Sequence, residues 1–107
     1  MRVTECKYRD FKSINSRAYI GKLITTKDCD MSTGYRGSGN PVVEETVEAG
    51  TEARFSLRAN GSNSESWLEV VVQRPSDKYG RVELRKNITL KMSLEEAAKK
   101  LHIDHIK

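Results

Sequence analysis

The sequence predicts a β-rich α+β domain, a small antiparallel barrel or sandwich of five to seven strands with one capped C-terminal helix. Segments that alternate apolar and polar residues recur along the chain between turn residues, as in antiparallel sheets. At Ser93 the apolar period changes from two to about 3.6, so a strand is followed directly by a helix. The 107 residues are predicted to form a single compact domain, 1–107.

The N-terminal third is predicted to contain two strands and a long loop. Arg2–Tyr8 has the mixed pattern of an edge strand, whereas Ala18–Ile24 is apolar enough for a buried strand. Residues 26–41 are rich in glycine, serine and asparagine, a composition typical of loops. Because loops of this length are usually functional or mobile, we expect a mobile loop here.

The middle of the chain is predicted to contain four further strands. Val42–Val47 is short, and Ala53–Ala59 alternates cleanly between apolar and polar residues. Trp67–Val72 is dense in β-forming residues and is therefore predicted to be a central strand. After a turn, Arg81–Met92 is predicted to return antiparallel to it, with a bend, bulge or break at the polar pair Lys86-Asn87.

The C-terminal segment predicts a helix over about 93–102. Ser93 and Glu96 have the spacing of a capping box, in which a serine at the N-cap and a glutamate three residues later satisfy free backbone N–H groups. Leu94, Ala97, Ala98 and Leu101 form one apolar stripe, which we expect to pack on the sheet.

The distribution of charge predicts a basic surface. The formal net charge is +4, and residues 1–37 carry eight basic and four acidic residues. Residues 73–92 carry six basic and two acidic residues, whereas 38–52 carry four glutamates and no basic residue. If the two basic segments lie together in the fold, they form one basic face, with an acidic patch elsewhere.

The residues expected of an enzyme, a metal site or a membrane protein are missing from the sequence. The only two cysteines, Cys6 and Cys29, lack the close pairing of zinc ligands. Acidic residues flank Cys29 on both sides and disfavour a thiolate nucleophile. No phosphate-binding loop, apolar membrane span or signal peptide is evident. We therefore expect a non-enzymatic cytoplasmic protein with no metal, no cofactor and no membrane partner.

Aromatic residues within basic clusters predict binding of single-stranded DNA or RNA. Cations contact the phosphates of such a strand, and aromatic rings stack on its bases. A small barrel of the oligonucleotide-binding type presents such residues from strands and loops. The predicted contacts are Lys7, Tyr8, Arg9, Lys12, Tyr35, Arg36, Lys78, Tyr79 and Arg81.

An alternative prediction is a small regulatory or inhibitory protein, of the kind found as mobile-element or phage accessory proteins, that binds another protein. Its contacts would be the mobile loop Thr26–Asn40, the acidic stretch that contains Glu44, Glu45 and Glu48, or the exposed side of Trp67. The two functions differ in salt dependence. Nucleic-acid binding weakens steeply with salt because counterions are released, whereas a well-packed protein interface is less sensitive.

A short motif suggests a third, more remote function. The segment Asp30-Met31-Ser32-Thr33-Gly34 resembles the Asp-x-Ser-x-Gly turn of PilZ domains. That resemblance covers five residues and implies a barrel that binds cyclic di-GMP. The chain departs from the family pattern because Arg9 and Arg17 lack the Arg-x-x-x-Arg spacing, and because Tyr35 stands where a second glycine is usual.

Overall fold

The computed structural model describes residues 6–14, 18–33, 44–60, 62–76 and 80–101, which contain seven strands and one helix. The elements are β1 Lys7–Ile14, β2 Ala18–Ile24, β3 Cys29–Ser32, β4 Glu44–Val47, β5 Glu52–Asn60, β6 Ser62–Ser76, β7 Gly80–Leu90 and α1 Leu94–Lys100. All pairings are antiparallel, in the order β1-β2-β5-β6-β7-β3-β4. The predicted β-rich fold with a C-terminal helix is confirmed. The prediction named a barrel or sandwich, but the described strands form one sheet that is not closed.

The sheet has an apolar face, called here the core face, and an opposite polar face. Alternate residues of the central strands are buried on the core face, among them Leu23, Phe55, Leu57, Leu68, Val70 and Leu84. Helix α1 contacts β5 and β6, and its buried residues join the same core. The polar face is therefore the side of the sheet that α1 leaves uncovered.

Helix α1 begins at the predicted N-cap and packs as predicted, but the Glu96 carboxylate accepts from the Ser93 hydroxyl, whereas the predicted capping box uses the Ser93 backbone N–H. The Ser93 hydroxyl oxygen accepts a hydrogen bond from the Glu96 backbone N–H at 3.2 Å, and the hydroxyl donates to the Glu96 carboxylate at 3.3 Å. Leu94, Ala97, Ala98 and Leu101 are all buried. Helix α1 has seven residues, and isolated helices of this length are unstable in water. Packing of its apolar stripe against the sheet therefore stabilises it.

The N-terminal strands agree with the sequence in part. The predicted second strand, Ala18–Ile24, is confirmed at both ends. The loop predicted over 26–41 is wrong over Cys29–Ser32, because these residues form β3, with Cys29 and Met31 buried. This strand pairs with β4 and β7, so its partners are distant in sequence and local composition does not reveal them. Residues 34–43, and residues 2–5 of the predicted first strand, lie outside the described part of the chain.

The hairpin of β6 and β7 is regular over its whole described length. Residue pairs run without a register shift from Ser66↔Leu90 to Ser76↔Gly80. The interruption predicted at Lys86-Asn87 is therefore wrong. Both residues are exposed, so polar side chains are accommodated there without any break in backbone pairing.

A β-bulge shapes the edge strand β1. The register with β2 shifts between Arg9↔Lys22 and Lys12↔Ile20, and Asp10 within the shift has a φ of 51°. The extra residue in β1 keeps Arg9 and Lys12 on the same face, although an odd separation along a regular strand would put them on opposite faces.

Candidate nucleic-acid interface

Four basic side chains lie in one line across the polar face. Arg9 pairs with Lys22, Lys22 with Arg54, Arg54 with Val71, and Val71 with Arg85. Paired residues of neighbouring strands point to the same face of a sheet. The four side chains therefore form one line, called here the basic row, across β1, β2, β5 and β7. Its members are Arg9, Lys22, Arg54 and Arg85, and Val71 of β6 lies between the last two.

The basic row is long, and its charges repel one another. It covers four strand spacings, or about 19 Å at ~4.8 Å per strand. Like charges directly opposite each other, such as Lys22 and Arg54, destabilise a sheet by a few tenths of a kcal/mol to about 1 kcal/mol per pair. The alignment of like charges in the basic row therefore lowers the stability of the folded protein.

Acidic residues on the same face offset part of this repulsion. Glu52 forms ion pairs with Arg9 and, at 3.5 Å, with Lys22. Glu83 lies 2.8 Å from both Arg54 and Arg85. These ion pairs are solvent-exposed and individually weak, but they hold the guanidinium groups over the sheet.

The neighbours of Glu83 favour its ionised form. A hydrogen bond donated by the Gln73 amide, together with the nearby guanidinium groups of Arg85 and Arg54, lowers the pKa of Glu83. The amide donates at 3.4 Å to the same carboxylate oxygen that Arg54 contacts.

A pocket of about 510 Å³ adjoins the basic row on the polar face. Its apolar surface includes the half-buried side chains of Ile20 and Val71. Lys12 and Glu69 also line it, as do Lys22, Arg54 and Arg85 of the basic row. Asp10 and Glu83 complete a rim of both charges around apolar surface, an arrangement typical of sites that orient a planar polar ring.

An aromatic side chain lies further along the same face. The Arg58 guanidinium lies 5.5 Å from the centroid of the Trp67 ring, within range of a cation–π interaction. Arg58 also donates a hydrogen bond to the Ser56 hydroxyl at 2.8 Å. Trp67 is half-buried, and the guanidinium lies over its ring.

The structure brings together some of the predicted nucleic-acid contacts. Strand pairing places four of them on the polar face. Lys7 pairs with Ile24, Arg9 with Lys22, Lys12 with Ile20 and Arg81 with Pro75. Predicted contacts Tyr35, Arg36, Lys78 and Tyr79 lie outside the described part of the chain.

Tyr8 lies on the core face, contrary to its predicted role as a stacking residue. Its ring packs edge to face against Phe55 at 4.9 Å between centroids and an interplanar angle of 88°. Burial, with a smaller contribution from Cys6, raises the pKa of Tyr8 above its usual range. The alternation of strand β1 explains the difference, because Tyr8 pairs with the fully buried Leu23.

The alternative contacts predicted for a protein partner lie in different parts of the sheet. Glu44, Glu45 and Glu48 are exposed in or next to the edge strand β4. Trp67 lies on β6, with β7 and β3 between it and β4. Glu44 and Glu45 are adjacent in a strand and therefore point to opposite faces.

The described part of the PilZ-like segment, residues 30–33, begins as a strand and not as the turn that the motif implies. Asp30 and Ser32 lie in the extended strand β3. Asp30 accepts a hydrogen bond from the Thr46 hydroxyl at 2.8 Å, and Ser32 pairs with Arg85. Two of the motif's residues therefore support the junction of β3 with its neighbours.

The described residues contain neither a metal-binding cluster nor a membrane-spanning helix. Histidine, cysteine and acidic residues form no group of three that could hold a metal ion within the described ranges. In the same part of the chain, no helix is long and apolar enough to cross a membrane.

Several residues of this face were not predicted from the sequence. They are Lys22, Arg54, Arg58, Glu69 and Arg85, and Trp67 was assigned to the alternative function. The alternation of Arg54, Ser56 and Arg58 with apolar residues indicates a polar face on β5, but only the register reveals what lies beside it.

No protein-family model, characterised protein or solved structure matches the chain. Fold and site together define a small antiparallel sheet domain with a basic open face.

Proposed function

We propose that this protein binds single-stranded nucleic acid across the polar face of its sheet. The observation that carries the proposal is the basic row, in which Arg9, Lys22, Arg54 and Arg85 follow one another across the strands. A line of cations about 19 Å long suits the phosphates of a short extended strand. It offers no comparable match to a compact neutral ligand.

The acidic partners of the basic row are compatible with this role. Glu52 and Glu83 orient the guanidinium groups in the free protein through exposed ion pairs. Because an exposed ion pair contributes little energy, a phosphate can share or replace the carboxylate at small cost. A charge-assisted contact between arginine and phosphate is also often bidentate and therefore strong.

The aromatic and apolar surfaces of the face favour a single strand over a duplex. Trp67 with Arg58 provides a stacking surface, and the pocket over Ile20 and Val71 accepts a ring that has left its stack. The bases of a duplex are stacked and paired inside the helix, so they reach neither surface without unpairing. Each base stacked on an aromatic ring contributes ~1–3 kcal/mol.

Fluorescence anisotropy of labelled single-stranded DNA, RNA and duplex DNA tests the proposal at two salt concentrations. We expect single strands to bind more tightly than duplex, with an affinity that falls steeply as salt increases. Lys22→Gln combined with Arg54→Gln should weaken binding and reduce the slope of log affinity against log salt by about 0.7 per lost phosphate contact.

A matched control separates a local contact from general charge attraction. Lys99 and Lys100 are exposed on α1, which packs on the core face, so Lys99→Gln with Lys100→Gln removes the same charge far from the basic row. Equal loss of binding in both double variants would contradict the proposed face. Absence of binding at low salt would refute nucleic-acid binding altogether.

The alternative function, regulation or inhibition of a protein target, stays a prediction. One observation favours it: β4 is an edge strand with exposed Glu44 and Glu45. Charged residues on an edge strand usually discourage pairing with another strand, which makes this observation weaker than the basic row. Glu45→Lys should leave nucleic-acid binding intact and would abolish a function that depends on the acidic edge.

A further inference from the structure

We infer that the pocket beside the basic row is a subsite for one unstacked guanine, read by Glu69 and Arg85; this inference rests on the proposed nucleic-acid binding. The two side chains form an ion pair, with Arg85 Nη1 3.3 Å from Glu69 Oε1. They present a donor and an acceptor side by side on the wall of one pocket.

The position of Glu69 relative to the basic row fits a base rather than a phosphate. Glu69 pairs with Ser56, two residues along β5 from Arg54, and therefore lies about 7 Å from the line of the basic row. This distance is comparable to that between a phosphate and the base of its own nucleotide. A strand whose phosphates follow Arg9, Lys22 and Arg54 thus places a base over Ser56 and Glu69, where Arg85 at the end of the basic row contacts the base and not a phosphate.

The walls and floor of the pocket suit a purine ring. Half-buried Ile20 and Val71 provide apolar surface, and the volume of about 510 Å³ exceeds that of a base. Glu69 is only 19% exposed, so its carboxylate is partly removed from water. Its contact with Arg85 uses Oε1, and within the described residues Oε2 has no hydrogen-bond or ion-pair partner.

Guanine satisfies these two side chains better than the other bases do. Its O6 and N7 accept hydrogen bonds from arginine, and its N1–H and N2–H₂ are adjacent donors for a carboxylate. Adenine and cytosine each place a ring-nitrogen acceptor next to their amino group, where it would face the carboxylate. Thymine and uracil flank their one N–H donor with two carbonyl oxygens. A partly buried carboxylate left facing an acceptor is costly.

The test uses five-nucleotide single-stranded DNAs, T-T-X-T-T, in which X is guanine, inosine, adenine or thymine. Inosine is guanine without the N2 amino group, so it removes one donor and leaves the ring unchanged. Anisotropy titrations at one low salt concentration should give the tightest binding for guanine, with about a tenfold loss for thymine and an intermediate loss for inosine.

A variant pair assigns the preference to Glu69. Glu69→Gln keeps the shape and one acceptor oxygen, and it should reduce the difference between guanine and inosine to about twofold or less. Glu65→Gln is the matched control, because Glu65 lies on the same strand and contacts Asn60 at 3.4 Å outside the pocket. It should leave the base preference unchanged. Circular dichroism melting of both variants establishes that they are folded.

The outcomes separate this inference from the function on which it rests. Equal, salt-dependent binding of all four oligonucleotides would overturn the guanine subsite while leaving nucleic-acid binding in place. The subsite would also be overturned if Glu69→Gln kept the full preference for guanine over inosine. Absence of binding to any of them at low salt would overturn both proposals.

Discussion

Replacing Gly21 with valine should destabilise the fold because β1 crosses β2 too closely there for any side chain. A Cβ at Gly21 would lie 2.7 Å from both Cα and Cβ of Phe11 and 2.9 Å from the backbone carbonyl oxygen of Arg9. The first and last of these atoms belong to the backbone. Valine can therefore be accommodated only if the bulged part of β1 moves.

The expected cost follows from two opposing effects. Overpacking a tight site costs about 1–3 kcal/mol, and an overlap with backbone belongs near the upper end. Valine is favoured over glycine in strands by up to about 1 kcal/mol. The net loss should be about 2 kcal/mol. With a urea dependence of about 2 kcal/mol per molar for a small domain, the unfolding midpoint should fall by about 1 M.

Urea unfolding followed by Trp67 fluorescence measures this loss. Ser13→Val is the control, because Ser13 is exposed on β1 and a surface substitution changes stability by about 0.5 kcal/mol or less. If β1 detaches in the Gly21 variant, the urea dependence will also fall, since less surface remains to be exposed. A midpoint equal to or above that of the unsubstituted protein would refute the reasoning about the close crossing.

Three further predictions concern other parts of the molecule. Trp67→Ala should weaken single-strand binding by about tenfold or more, as measured by anisotropy, because it removes a stacking surface worth ~1–3 kcal/mol; unchanged affinity would exclude the indole from the interface. Glu83→Gln should lower stability at neutral pH, where the lowered pKa of Glu83 makes its ionised form stabilising. That difference should disappear as the pH falls through the folded-state pKa, so a difference that persists in acid would indicate another cause. Ser93→Ala should cost about 1 kcal/mol in thermal unfolding through loss of the N-cap, whereas Ser93→Asp should retain most of the stability.

Local features of the sequence were sufficient to predict α1. Its cap and its apolar stripe depend on residues three and four apart, and those spacings are fixed by the geometry of the helix itself. Strand β2 was predictable from its apolar content, and the alternation of β5 from a period of two that is visible within one segment. The burial of Leu57 follows from that alternation.

Strand β3 and the basic row depend on pairing between distant residues. Cys29–Ser32 becomes a strand because β4 and β7 lie beside it, and its own composition is that of a loop. Arg9, Lys22, Arg54 and Arg85 are spread over more than seventy residues of sequence. A shift of one residue in any pairing would move one of them to the other face.

The sequence by itself determined the class of fold, the capped helix and the excess of basic residues in two segments. Each of these depends on composition or on spacing within one element. The tertiary structure decided which charges share a face, because that depends on strand order, on register and on the bulge at Asp10. It also decided that Tyr8 belongs to the core while Trp67 lies beside Arg58 on the polar face, since the pleat of each paired strand sets the side to which a ring points.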